Sequence, residues 1–389
     1  MLTTAPVVQG GSSGETAPVE GEHGQDVDGP ADGLLAGVRV LDLSIWRPGP
    51  YATQLLAELG AEVIKVEPPG GDPMRLYEGL FAALHADKRS LVLDLKRPED
   101  RARALELARG ADVLVEGYRP GVADRLGVGH EQVRAVNPGI VYCSVSGLGQ
   151  DGPLADAPGH DLNYLAWSGV LAPEGGAPVA PAVPVADLAG GLAAAYAICA
   201  ALVRRDRTGE GERVDVAMTG VLATWTGGVA PRASGVDAAA RGVPGYGTFA
   251  TTDGGWIALG VLNEDHFWRP LCEALGLDDV AALDFVARSA RADELQARLA
   301  GAVATHARDE LVGALLGVGV PVAPVLDRSG MLALPHLSAI DAVTTDARST
   351  RRVAGFPVRF SRHPARRRAP APDLDADVGA TWTTATRST

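Results

Sequence analysis

Val38-Arg39-Val40-Leu41-Asp42-Leu43, then residues 50–59, then Glu62-Val63-Ile64-Lys65-Val66 form the stretch that decides the fold class. The two outer pieces are short runs of aliphatic and β-branched residues, the composition of strands. The piece between them opens on Pro50, repeats apolar residues at helical spacing (Ala52, Leu55, Leu56, Leu59) and is closed by Gly60, as a helix is. Strands joined by a helix instead of a tight turn run parallel, with a right-handed crossover. The same alternation continues toward the C-terminus. Leu91-Val92-Leu93-Asp94-Leu95 reads as a strand, residues 98–109 as a helix between Pro98 and Gly110, and residues 112–116 and 140–145 as further strands. After Thr208-Gly209-Glu210-Gly211, a strand over 213–218 closes the series. The pattern predicts an α/β protein whose Rossmann-like large domain, residues 34–225, is built on a mainly parallel sheet. Its first strand is followed by Ser44-Ile45-Trp46-Arg47-Pro48-Gly49-Pro50 and not by GxGxxG, so no standard dinucleotide site is expected and the fold alone leaves the activity open.

The rest of the chain divides by composition. A Gly/Ala/Pro-rich passage to Pro244 and a smaller α+β domain are predicted for residues 226–335, with Tyr246-Gly247-Thr248-Phe249, a turn at Asp253-Gly254-Gly255, a strand over 256–261 and helices near 266–275, 293–306 and 309–316. Residues 336–372 are expected to return to the large domain through Phe356-Pro357-Val358-Arg359-Phe360. Residues 1–33 and 373–389 are expected to be disordered tails, and Arg366-Arg367-Arg368 a solvated charge run. The first tail has no Lys or Arg and no apolar run, which points to a cytoplasmic protein. Removing its six carboxylates from the formal net charge of −13 leaves −7 on the rest, a balance that argues against nucleic-acid binding. The apolar run 188–203 is short, rich in Ala and Gly and followed by Arg204-Arg205-Asp206, so a buried helix is expected there and no membrane span. Cys143, Cys199 and Cys272 are isolated and read as core residues. The eight histidines form no HExxH or Cys/His cluster, and no metal site is expected.

Two polar strings interrupt this apolar background. They are Gly159-His160-Asp161-Leu162-Asn163-Tyr164 and Ala186-Asp187-Leu188-Ala189-Gly190-Gly191, each leading into a helical run. Helix starts present unpaired N–H groups and partial positive charge, so both places suit chemistry that builds up negative charge. A histidine and a carboxyl facing each other across a carbon can remove a proton on one side and return it on the other. Taken alone, each residue is better read as a helix cap. Leu188-Ala189-Gly190-Gly191 offers little polarity, which would raise the Asp187 pKa, and its glycines would let a substrate approach closely.

Further segments carry a resemblance. Leu41-Asp42-Leu43-Ser44 with Pro48-Gly49-Pro50, Gly60-Ala61-Glu62-Val63-Ile64-Lys65-Val66-Glu67, Lys88-Arg89-Ser90-Leu91-Val92-Leu93-Asp94-Leu95-Lys96, Arg119-Pro120-Gly121 with Arg125-Leu126-Gly127, and Ser146-Gly147-Leu148-Gly149-Gln150 follow in order. With them, residues 34–360 resemble the class III CoA-transferase superfamily of CaiB/BaiF type, which includes formyl-CoA and carnitine CoA-transferases and α-methylacyl-CoA racemases. The resemblance implies an interlocked homodimer and an acyl-CoA substrate. Coenzyme A would be part of that substrate and not a permanently bound cofactor. It also implies a CoA cleft, for which Arg47, Lys65, Lys88, Arg89 and Arg125 are candidate phosphate contacts and Val92, Leu93, Asp94, Leu95, Glu116, Gly159 and Tyr164 further binding positions. Racemases commonly carry an arginine where this chain has Pro68.

Within the superfamily, transferases use the aspartate matching Asp187 as a nucleophile. Racemases are similar to one another in pairing it with the histidine of the Gly-His-Asp string, intact here at His160, with a glutamate of the small domain, matched by Glu264, that helps hold the histidine. The resemblance therefore implies racemisation first, CoA transfer second, and acyl-CoA binding without turnover third.

Overall fold

A computed structural model describes residues 33–171, 177–226, 243–345, 352–365 and 369–383. The first tail up to residue 32, residues 227–242 ahead of Pro244, and Arg366-Arg367-Arg368 lie outside the described residues.

Apolar strand residues that must be covered on both faces require helices on both sides of a sheet, and the chain supplies them in alternation. The elements in order are β1 (Arg39–Asp42), α1 (Pro48–Glu58), β2 (Glu62–Glu67), a 3-10 turn (Pro73–Leu76), α2 (Glu78–His85), β3 (Lys88–Val92), α3 (Pro98–Arg109), β4 (Val113–Glu116), α4 (Val122–Arg125), α5 (His130–Val136), β5 (Val141–Ser146), α6 (Asp161–Trp167), α7 (Val185–Thr208), β6 (Glu212–Ala217) and α8 (Met218–Trp225). The six strands form one parallel sheet in the order β3-β2-β1-β4-β5-β6. One face is covered by α1 and α7, whose Leu55, Leu56, Ala194 and Ile198 pack on Val40, Val113 and Val141. The other is covered by α3 and α5, through Ala104, Leu107 and Val133 against Leu41, Ile64 and Leu114.

The long apolar helix α7 is a core helix against α1, and half of its most apolar window is buried. Gly191 allows the contact: a Cβ there would stand 2.6 Å from the Pro48 carbonyl oxygen. Gly190 does the same toward Met218 Cγ, at 2.5 Å. The glycine pair thus serves helix packing and not the approach of a substrate, a correction to its sequence reading.

β3 begins three residues earlier than hydropathy indicates. Lys88 enters the sheet because its ammonium is fully buried and paired inside, so a residue that reads as surface charge is part of the strand.

The smaller unit carries the antiparallel strands β7 (Tyr246–Ala250), β8 (Trp256–Gly260) and β9 (Val322–Pro324), and the helices α9 (Asp265–Ala274), α10 (Phe285–Ala290), α11 (Ala292–Val303) and α12 (Arg308–Gly317). Trp268, Leu271, Leu299 and Leu315 are fully buried in its core. After α13 (Arg328–Ala333) and α14 (Pro335–Ala339), a hairpin of β10 (Val343–Thr345) and β11 (Arg352–Ala354) leads to Phe356, which packs on the large-sheet core.

Residues 373–383 are not a loose tail. They run along the free edge of β3, where Asp375 Oδ1 accepts from the Val92 amide (2.8 Å), Asp377 Oδ2 accepts from the Ser90 amide (3.0 Å) and the Asp377 amide donates to the Ser90 carbonyl (2.9 Å). Ala380 is buried in the core of the α3 face, and the Trp382 indole donates to the Leu107 carbonyl at 2.8 Å. Low hydropathy hid this segment, because backbone and carboxylate hydrogen bonds hold most of it.

Candidate active site

In a parallel sheet the crevice for a ligand opens at the carboxyl ends of the strands, where the strand order reverses. Here that point lies between β1 and β4, and the loops that follow them, with residues 45–48 and 117–120, line a cleft of about 1180 Å³. Met74, Tyr77 and Leu80 line it from the β2 side, and Val145, Gly147, Leu148, Gly159, His160, Tyr164 and Asp187 from the β5 side.

The starts of two helices set the polar groups. His160 is the residue before α6; Asn163 Oδ1 accepts from its amide at 3.0 Å, and the exposed residue lines the cleft. The Trp46 ring meets it edge to face, with centroids 6.4 Å apart and planes at 83°. Asp187 is the third residue of α7 and does not cap the helix. Its amide donates to Asp161 Oδ1 at 3.1 Å, which ties the starts of α6 and α7 together. Burial and the neighbouring Asp161 charge push the Asp187 carboxyl up to about 6, against the pull of Arg47. Tyr164 packs against Gly147 and Gly159, and its hydroxyl donates to the Gly159 carbonyl at 2.6 Å, so it acts as a wall of the cleft.

Beneath the β1 loop lies a buried charge cluster. Lys65 Nζ donates to the Ser44 carbonyl (2.7 Å) and pairs with Asp72 (2.9 Å); Lys88 Nζ pairs with Asp42 (3.2 Å) and donates to Thr53 Oγ1 (2.7 Å). All four ionic side chains are fully buried. Burial would raise the Asp42 carboxyl, but Lys88, Lys65 and the hydroxyls of Ser44 and Thr53 hold it at about 2. Burial brings Lys88 down to about 8, and burial with the adjacent cations keeps His85 neutral. Lys65 and Lys88 therefore support the loop from inside and do not reach the cleft, a correction to their assignment as phosphate contacts. Their positions in β2 and β3 are those of core residues, which the charge of the side chain concealed.

Other candidates also sit away from the cleft. Arg89 pairs with Glu62 (3.1 Å) and Asp377 (3.2 Å), and the amide of Val92 is taken by Asp375. Leu93 and Leu95 are core residues of the α3 face, while Asp94 turns back on the chain, its amide donating to Asp100 Oδ2 at 3.0 Å. Glu116 is buried below the cleft floor, in a smaller polar pocket with Arg213 and Gln150. Burial raises it to about 7 against hydrogen bonds from Ser144 and the Tyr118 amide. Glu264 precedes α9 in the smaller unit, takes the Leu262 amide at 2.9 Å and does not line the cleft of its own chain.

Arg47 and Arg125 do line the cleft, and so does Arg119, which sequence reading passed over. The signal for Arg119 is its place three residues beyond the carboxyl end of a strand at the switch point, but strand order is a tertiary property. None of these three guanidiniums has an ion-pair or hydrogen-bond partner among the described residues. Also among the described residues, no group of His, Cys, Asp or Glu side chains is arranged to hold a metal ion.

A profile of CoA-transferase family III matches residues 35–378. The chain belongs to that family. The acetyl-CoA:oxalate CoA-transferase of Acetobacter aceti is 36% identical over 336 residues, 80% of this chain and 84% of the relative. The human alpha-methylacyl-CoA racemase is 40% identical over 262 residues, covering 62% of this chain and 65% of the relative. A CaiB/BaiF family protein from Brucella suis superimposes with a TM-score of 0.79 at 28% identity, over 89% of this chain and 97% of that one. Family III enzymes take coenzyme A thioesters as substrates, so the cleft at the β1/β4 switch point is the place to seek one.

Proposed function

We propose that this protein epimerises a 2-methylacyl-CoA thioester by a 1,1-proton transfer at the carbon beside the thioester carbonyl. His160 removes the proton from one face, the positive end of the α7 dipole favours the enolate charge, and protonated Asp187 returns a proton to the other face. One observation carries the reading: an open imidazole and a carboxyl raised to about 6 line the same cleft. At that pKa the carboxyl is protonated often enough near neutral pH to act as an acid, and such a positioned group contributes about 10²–10⁴-fold. Arg119 and Arg125, on the β4 side, suit the phosphates of coenzyme A.

Transfer of CoA to a carboxylate, with Asp187 as nucleophile, is the second reading, supported by relatives such as the Acetobacter aceti enzyme. It gives His160 no task. A homodimer fits either reading. Glu264 lies outside the cleft of its own chain, and α7 exposes an apolar stripe of Leu192, Tyr196 and Val203 that a second copy could cover.

The test is proton NMR of a 2-methylacyl-CoA in D₂O. Loss of the α-proton signal with the intact protein, absent in His160→Ala and Asp187→Ala, is the expected result. No exchange, with CoA appearing on an added carboxylate, would select the transferase reading.

A further inference from the structure

The unpartnered guanidiniums of the cleft stand in different places. Arg119 and Arg125 follow β4, whereas Arg47 follows β1 at the start of α1 and is the cation whose charge acts on Asp187. Its neighbour Trp46 adopts a left-handed backbone (φ 64°) and leans on His160, so Trp46 and Arg47 together adjoin both reacting groups. This position is fixed from below and behind. Lys65 and Asp42 hold Ser44, Asp72 Oδ1 accepts from the Trp46 amide at 3.4 Å, and the close contact of Gly191 with Pro48 seats the start of α1 against α7.

A guanidinium in that place adjoins the reacting groups, while Arg119 and Arg125 remain for the phosphates of a bound thioester. When the α-carbon lies between His160 and Asp187, the length of the pantetheine arm separates it from the diphosphate. Arg47 therefore faces the acyl group. A hydrocarbon chain would strip water from the cation and give it nothing in return, a costly arrangement for an unpaired charge. A carboxylate would meet the planar fork with two parallel hydrogen bonds. Asp187 does not fill that role, since no ion pair forms between the two and burial keeps its carboxyl raised.

We propose that Arg47 binds a carboxylate on the acyl group itself, so that the substrate is the CoA thioester of a short dicarboxylic acid, branched at carbon 2, and not of a plain fatty acid. This rests on the reading that His160 and Asp187 flank the α-carbon, and it gives Arg47 a role at the acyl end in place of a CoA phosphate contact.

The experiment measures dissociation constants by calorimetry for succinyl-, glutaryl- and adipyl-CoA against butyryl-, valeryl- and hexanoyl-CoA, paired by carbon number. The full-length protein should prefer the diacid by about tenfold or more in at least one pair. Arg47→Leu should abolish that preference, Arg47→Lys should keep part of it, and Arg125→Leu should weaken both members of each pair alike. Equal affinities in every pair, or a preference that survives in Arg47→Leu, would overturn the proposal. Binding needs no turnover. A diacid preference with no α-proton exchange in D₂O would thus support Arg47 while removing the racemase reading, and exchange without the preference would do the reverse.

Discussion

Asp187 pays for its chemistry in stability. Its carboxyl titrates near 6 in the folded chain against 3.8 for an unperturbed group, so the folded state binds the extra proton between those values. The contribution to stability is whole below pH 3.8 and is lost as pH rises through 6, on the order of 2–3 kcal/mol. Asp187→Asn should therefore lower kcat about 10²–10⁴-fold and yet raise Tm at pH 8, a gain that vanishes in melts below pH 4. An unchanged or lower Tm at pH 8 would contradict the assigned environment. In the intact enzyme, one limb of the pH profile of kcat/KM should fall near 6, and a flat profile from about pH 5 to 8 would speak against Asp187 as a proton donor. At this scale the polar strings put His160 and Asp187 at helix starts, and both do line the cleft. Lys65 and Lys88 were misread, because a lysine on the page carries no sign that its ammonium is buried.

Elements succeed or fail by what pairs with them. β1, α1, β2 and α3 could be drawn from hydropathy and from proline and glycine punctuation within a residue or two of their bounds. β3 could not, since its register depends on Lys88 reaching Asp42. Lys88→Met should destabilise the protein by about 3–5 kcal/mol, the cost of leaving a buried carboxylate unpaired, and urea melts should recover much of the loss when Asp42→Asn is added. The edge of β3 offers a second case. Asp375→Ala with Asp377→Ala removes two carboxylates that accept strand amides, and the expected loss is about 1–3 kcal/mol with faster amide exchange at Ser90 and Val92. Protection unchanged at those amides would mean that the backbone pairing of residues 373–383 suffices without them.

At the scale of the whole molecule, the large cleft and the smaller unit of one chain do not meet at Glu264. If a second copy supplies that residue, two inactive proteins can rescue each other. Co-expressed His160→Ala and Glu264→Ala chains should form mixed dimers in which one site unites an intact cleft with an intact Glu264, giving up to about half the activity of wild type per mixed dimer. No rescue, with dimers present by light scattering, would confine each site to one chain. The switch point that locates the cleft was not legible beforehand, because helices and strands in sequence do not state the order in which strands pair.

The contacts of residues 373–383 also bear on how the molecule comes to be made. Asp377 is translated 287 positions after Ser90, the residue whose amide it receives, with the entire smaller unit in between. Throughout that interval the emerging large sheet has an open flank at β3, and Ala380 and Trp382 are missing from its core. Part of the large domain is thus completed only after the whole smaller unit has been made, and until residues 373–383 emerge the nascent chain is open to strand-to-strand association at β3.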